Sequence, residues 1–211
     1  MKNSSIRMAL LLIAAAVINF LVYYGGKWVA RDFPYFSMKL PLDDAIPMLS
    51  WTIVIYLGGY FFWIANYYLS IKNDTSGYDR FFIAHCIGEL VCLLIFILIP
   101  TAMVRPEIIG TSLFERILHF TYSMDSADTL FPSIHCFLSW LSWIGVRNSP
   151  AIPGWYRKSS LLLAIAVCLS TLTVKQHVAA DCVAGIVLAE LSYRLAGCAG
   201  RYRRRPGKRQ G

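Results

Sequence analysis

His135, His177 and Asp181 are titratable side chains set at the ends of strongly apolar stretches, in Phe131-Pro132-Ser133-Ile134-His135 and Lys175-Gln176-His177-Val178-Ala179-Ala180-Asp181. Such groups are expensive in or beside a bilayer, so their presence points to function, with each other as the natural partners. On a helix, a spacing of four puts His177 and Asp181 on one face, where the carboxylate can accept a hydrogen bond from one imidazole nitrogen. That bond fixes the tautomer and leaves the other nitrogen as nucleophile or base. A structural pair that satisfies itself inside an apolar bundle is the bland reading of the same spacing.

His135 follows Pro132 by three residues, and Pro132 suits the first turn of a helix. A helix start presents unpaired N–H groups that bind phosphate, and Ser133 adds a hydroxyl there. Arg105 and Lys175 fall at the expected outer ends of helices, where snorkelling to headgroups is their plain interpretation. Arg105 has the fork that matches phosphate oxygens and Lys175 is a point charge. Two imidazoles, a guanidinium, an ammonium and a helix terminus make a phosphoryl-transfer cup that calls for no metal and no cofactor.

The elements that must position these groups are membrane helices. Of 211 residues, 57% are hydrophobic and only 15% charged, against about a quarter charged in a soluble domain. Six apolar stretches approach the roughly 20 residues a span requires: about 6–24, 46–70, 81–104, 131–148, 159–174 and 177–196. The expected fold is therefore all-α, an integral membrane bundle of six transmembrane helices over residues 1–198, followed by a basic tail, 199–211. The first stretch has no small-residue cleavage site after it, since it runs into Tyr23-Tyr24-Gly25-Gly26-Lys27, and is read as a retained helix.

With a cytoplasmic N-terminus, fourteen of the twenty Lys and Arg residues fall on inner segments. The positive-inside rule then puts both termini in the cytoplasm, and Arg105, His135 and His177 on the outer face. The net charge of +8 sits largely in the tail around Arg201–Arg209, which reads as a topology anchor on anionic lipid rather than a nucleic-acid site. The prolines Pro34, Pro41 and Pro47 break the segment between the first two helices into an interfacial stretch. Leu113–Phe120 has a helical apolar pattern and is expected to lie on the membrane surface, carrying His119. Six cysteines without metal or disulfide spacing are taken as packing residues. His85 and Glu89 are read as a buried hydrogen-bonded pair, too few to ligate zinc, and Glu190 with Arg194 as a structural ion pair.

The ordered motifs resemble the type 2 phosphatidic acid phosphatase superfamily. Pro132-Ser133-Ile134-His135 is similar to its second signature, Ser170 through Asp181 to its third, and Arg105-Pro106 to the end of its first. The resemblance implies that His177 is a nucleophile forming a phosphohistidine, that Asp181 orients it, and that His135 protonates the leaving oxygen. It also implies that Arg105, Ser133 and Lys175 hold the phosphoryl oxygens. Leu98 and Thr171 stand where the family has Lys and Arg, and Lys175 is the candidate replacement cation. Phe-Pro-Ser-Ile-His-Cys, and Asp43-Asp44-Ala45-Ile46-Pro47 before a Tyr-rich helix, are similar to the inositol-phosphorylceramide and sphingomyelin synthase branch.

The resemblance implies a lipid phosphatase of a bacterial inner membrane, cleaving a phospholipid or prenyl-phosphate monoester or diphosphate at the outer face. Fewer cations suit a phosphodiester, so headgroup transfer is the alternative. A non-catalytic transporter using the polar groups as a path is the competing class. The oligomeric state stays open.

Overall fold

A computed structural model describes residues 2–74 and 79–203, and the side chains from Ile6 to Cys198 outside the gap. Residues 75–78 of the expected inner loop and the tail beyond Arg203 lie outside the described residues. Eight helices are present among those described: α1 (Lys2–Ala30), α2 (Pro41–Ala45), α3 (Ile53–Lys72), α4 (Arg80–Leu98), α5 (Leu113–Met124), α6 (Ile134–Arg147), α7 (Gly154–Thr173) and α8 (Ala179–Arg203), with a 3₁₀ turn at Ser50–Thr52. No strand occurs among the described residues. Three spans, Ile6–Ala30, Ser50–Lys72 and Arg80–Leu98, are long and apolar enough to cross a membrane.

The short helix α6 is the centre. It packs against α3, α7, α8 and α4, while α1 lies outside on α4 and α3. Between apolar helices in an apolar solvent, close approach comes from small residues rather than from exclusion of water. Gly88 on α4 is such a point, since a Cβ there would lie 2.0 Å from the Phe137 ring of α6. Gly185 on α8 is another, its Cβ position being 2.5 Å from the Ser133 carbonyl oxygen. Buried polar groups pair across helices: Trp63 Nε1 donates to Ser139 Oγ at 2.8 Å, and Tyr156 donates to Asn66 Oδ1 at 2.9 Å.

Several boundaries differ from the expected ones. Helix α1 continues through Gly25-Gly26 to Ala30, because Gly26 is a packing position: a Cβ there would sit 3.1 Å from Phe96 of α4. Pro132 does not open α6; Ser133 is the N-cap, accepting the Cys136 N–H at 3.2 Å, and the helix starts at Ile134. Helix α8 runs on to Arg203, past the expected tail boundary. The surface helix is present as α5, opened by a reciprocal cap in which Ser112 N–H donates to Glu115 Oε2 at 2.8 Å. Those hydrogen bonds lower the pKa of the Glu115 carboxyl. His119 is exposed on this helix. Glu190 bonds Arg147 of α6, at 3.1 Å through Nη2, and Trp140 Nε1 at 3.2 Å; its hydrogen-bonded ion pair thus crosses helices instead of joining Arg194.

Candidate active site

The starts of α6 and α8 meet. At Gly185 the two backbones approach, and one turn earlier the Ser133 N–H donates to the Asp181 carbonyl at 3.1 Å. This contact brings His135, on the first turn of α6, beside His177, just ahead of α8. Their ring centroids are 6.2 Å apart, with the planes inclined by 52°. The imidazoles are neighbours, the arrangement that a shared phosphoryl group would need.

His177 is not on the helix, as its spacing from Asp181 suggested. It lies in the turn before α8, which begins at Ala179. The pair forms all the same: His177 Nδ1 lies 3.3 Å from Asp181 Oδ2, which also accepts the Val178 N–H at 3.0 Å. A carboxylate only accepts, so Nδ1 carries the proton and Nε2 keeps its lone pair. The contact is slightly longer than the usual 2.7–3.2 Å. Asp181 is fully buried, and its Oδ1 has no hydrogen-bond partner among the described residues.

His135 is held by aromatic rings. Tyr56 stacks on it at 4.3 Å and 18°, while Trp63 and Tyr60 present their edges at 5.2 and 5.8 Å. Its Nε2 is buried and without a hydrogen-bond partner among the described residues. This ring lines an aromatic cleft of about 470 Å³ that includes Tyr23, Tyr60, Trp63 and Phe96. His177 lines a different cavity, about 520 Å³, together with Lys39, Asp43, Asp44, Arg105 and Lys175. The histidine pair therefore stands between an aromatic cleft and a polar one.

The other expected residues are placed as follows. Arg105 stacks its guanidinium over Tyr122 at 4.5 Å, donates to the Asp125 carbonyl at 2.5 Å and donates to Gln176 Oε1; its Nε is buried and has no partner among the described residues. Lys175 Nζ donates to the Asp43 and Ile46 carbonyls at 3.1 and 2.6 Å, so much of its donor capacity is spent on backbone. Ser133 is fully buried, and its hydroxyl caps α6. Leu98 is 73% exposed, turned away from the site. Thr171 is buried, donating to the Cys168 carbonyl at 2.7 Å and lying 3.1 and 3.7 Å from the Cys182 and Cys136 sulfurs. Neither Leu98 nor Thr171 lines the polar cavity.

Sequence reasoning missed Asp43, Gln176 and Tyr56 as site-building residues. Asp43 carried a weak signal, its place in the Asp43-Asp44-Ala45-Ile46-Pro47 segment noted above for its resemblance, which gave it no role at the site. Tyr56 and Gln176 carried none that separates them from other aromatic or polar neighbours. Among the described residues no group of three or more His, Cys, Asp and Glu side chains is placed to hold a metal ion. In comparisons with protein-family models, with curated proteins and with solved structures, nothing matches this chain.

Proposed function

We propose that this chain is a membrane lipid phosphatase of the type 2 phosphatidic acid phosphatase kind, acting at the outer membrane face through His177. The observation that carries the reading is the pair of adjacent imidazoles between a polar and an aromatic cavity. An amphiphile bearing a phosphoryl group has those two chemistries on either side of its phosphorus. His177 Nε2 attacks phosphorus as the bond to the lipid oxygen breaks, and His135 gives that oxygen a proton. Water then attacks the phosphohistidine, passing its proton to His135, and the P–N bond breaks to restore His177. Asp181 orients His177, and Arg105 supplies positive charge to the phosphoryl oxygens, with Lys175 at the cavity wall.

The membrane placement belongs to the same proposal. Helices α7 and α8 leave apolar stripes exposed, Leu162, Leu169 and Val183, Val187, Leu191, Leu195, at the spacing of a lipid-facing surface. We read α1, α3, α4, α6, α7 and α8 as six spans with both termini cytoplasmic. The 14 residues of α6 extend only about 21 Å, shorter than a bilayer core of about 30 Å, which suits a site recessed below the outer surface.

Headgroup transfer is the second reading, favoured by the aromatic cleft that ends on His135. An apolar alcohol there would take the place of water as the proton donor to His135. Product analysis by mass spectrometry separates the readings, using purified protein and His177→Ala with phosphatidate, a prenyl diphosphate and a phosphodiester lipid, plus diacylglycerol and ceramide acceptors. His177-dependent free phosphate supports the phosphatase, and a His177-dependent new headgroup lipid supports the transferase. Identical products from both proteins would overturn both and return the transporter reading.

A further inference from the structure

The turn that carries His177 is held from outside at almost every position. The Leu49 N–H donates to the Thr173 carbonyl at 2.9 Å, and the Thr52 and Thr173 hydroxyls are 2.8 Å apart. Tyr122 donates to the Val174 carbonyl at 2.6 Å, and Arg105 donates to the Gln176 side chain. Lys175 has φ of 54°, a region uncommon for a residue with a Cβ. Its ammonium holds the Asp43 and Ile46 carbonyls at the end of α2, a helix end whose carbonyls have no partner within the helix.

Asp43 ties the same two segments from the other side. Its Oδ1 accepts the N–H of Ala179, the first residue of α8, at 2.7 Å, and its Oδ2 accepts the Leu40 N–H that precedes α2, also at 2.7 Å. The residue is 6% exposed. One buried carboxylate thus caps its own helix and another whose first residue lies 136 positions further along the chain. Asp181 takes the adjacent Val178 N–H, so the protein's own carboxylates already occupy the start of α8. What that end presents to the polar cavity is the His177 side chain, which pairs with Asp181.

We propose that Asp43 is a positioning residue for His177: with Lys175 fastening α2 in return, its grip on Ala179 sets the turn from which the imidazole projects. The proposal rests on the phosphotransfer reading for its effect on rate. Asp43 has no part in the chemistry itself. Both of its oxygens accept, so Asn, with one accepting atom, keeps one of the two bonds, and Ala keeps neither.

The test compares wild type with Asp43→Asn, Asp43→Ala and Lys175→Met, and with Asp32→Asn as control, since Asp32 has 80% of its side chain exposed. Two quantities are read. One is kcat and KM per folded enzyme, with folding judged by size exclusion in detergent. The other is the rate at which diethyl pyrocarbonate modifies His177, measured by peptide mass spectrometry against exposed His119 in the same molecule. The expected result is a graded fall in kcat, severalfold for Asn and more than tenfold for Ala, with KM within twofold. The His177 modification rate rises more than threefold in Asp43→Ala and stays unchanged in Asp32→Asn. If Asp43→Ala does not fold, Asp43→Asn and Lys175→Met carry the comparison. An unchanged His177 rate in the folded Asp43 variants overturns the proposal whatever the activity does. Failure of the phosphotransfer reading shows separately, as wild-type turnover that His177→Ala does not reduce, and the modification rates still decide the positioning role.

Discussion

The Cα of Gly185 lies so close to Ser133 that an added Cβ would be 2.5 Å from the Ser133 carbonyl oxygen and 3.0 Å from the Phe137 nitrogen. Both are backbone atoms at the start of α6, so neither can swing aside as a side-chain end would. Gly185→Ala must therefore push the starts of α6 and α8 apart, and these carry His135 and Asp181. The expected cost is about 1–3 kcal/mol, the usual range for overpacking, with at least a tenfold loss of kcat. Thermal unfolding in detergent and phosphate release would be measured on the same preparation. Wild-type values for both would mean that this contact does not set the histidine pair.

The start of α8 also shows why part of the site was hidden in the sequence. Helix starts are read from Ser, Thr, Asp or Asn at the N-cap, and Val178 is none of these. The missing cap comes from Asp43, in a segment remote in sequence, so His177 reads as helical when it precedes the helix. The ordered histidines and Asp181 were legible because their chemistry is local and their spacing short. The clefts were not, because they depend on which faces of α1, α3 and α5 meet. Likewise Gly26 reads as a helix end until the Phe96 ring beside it is known.

Arg105 combines a charge with planar contacts that Lys lacks. Its guanidinium stacks on Tyr122 at 4.5 Å and bonds both the Asp125 carbonyl and Gln176. Lys keeps the charge but loses the fork and the stacked plane. Arg105→Lys is expected to lower kcat/KM by about 10- to 100-fold, on the order of 1.4–2.7 kcal/mol at 1.36 kcal/mol per factor of ten. Arg105→Ala should cost more. Steady-state kinetics across a substrate series would check the order, and equal activity of the Lys variant and wild type would remove the guanidinium from phosphoryl binding.

Thr171 stands where the signature that this segment resembles has Arg, and placing Arg there should not raise activity. The hydroxyl is fully buried and lies between the sulfurs of Cys136 and Cys182. A guanidinium there would overfill a buried position between two sulfurs and take its charge out of water, which is destabilising. Thr171→Arg is expected to reduce the folded yield in detergent and the activity together. A stable variant with higher phosphate release would show that position 171 can reach the polar cavity.

Glu89 tests the polar cluster that the site does not use. It is fully buried on α4; Oε1 accepts from Asn19 of α1 at 3.0 Å, and Oε2 has no hydrogen-bond partner among the described residues. His85 approaches Oε1 only to 4.0 Å, because its Nδ1 meets the Tyr67 hydroxyl at 2.7 Å and its Nε2 the Ala15 carbonyl at 3.2 Å. The carbonyl can only accept, so Nε2 bears the proton, Nδ1 accepts from Tyr67, and the imidazole is satisfied without Glu89. The expected close His85–Glu89 hydrogen bond is thus replaced by three separate ones, from Tyr67 of α3 to His85, from His85 to the Ala15 carbonyl of α1, and from Asn19 of α1 to Glu89. Glu89→Gln keeps the acceptor for Asn19 and removes the prospect of a buried charge. It should leave stability within about 1 kcal/mol of wild type or raise it, since one hydrogen bond is worth about that much, and should keep activity within twofold. Asn19→Leu should strand the Glu89 carboxyl and lower the unfolding temperature, as a buried group without its partner costs about 1–3 kcal/mol. Unfolding curves and phosphate release for the two variants check this. A loss of turnover in a fully folded Glu89→Gln variant would instead make Glu89 part of the working machinery.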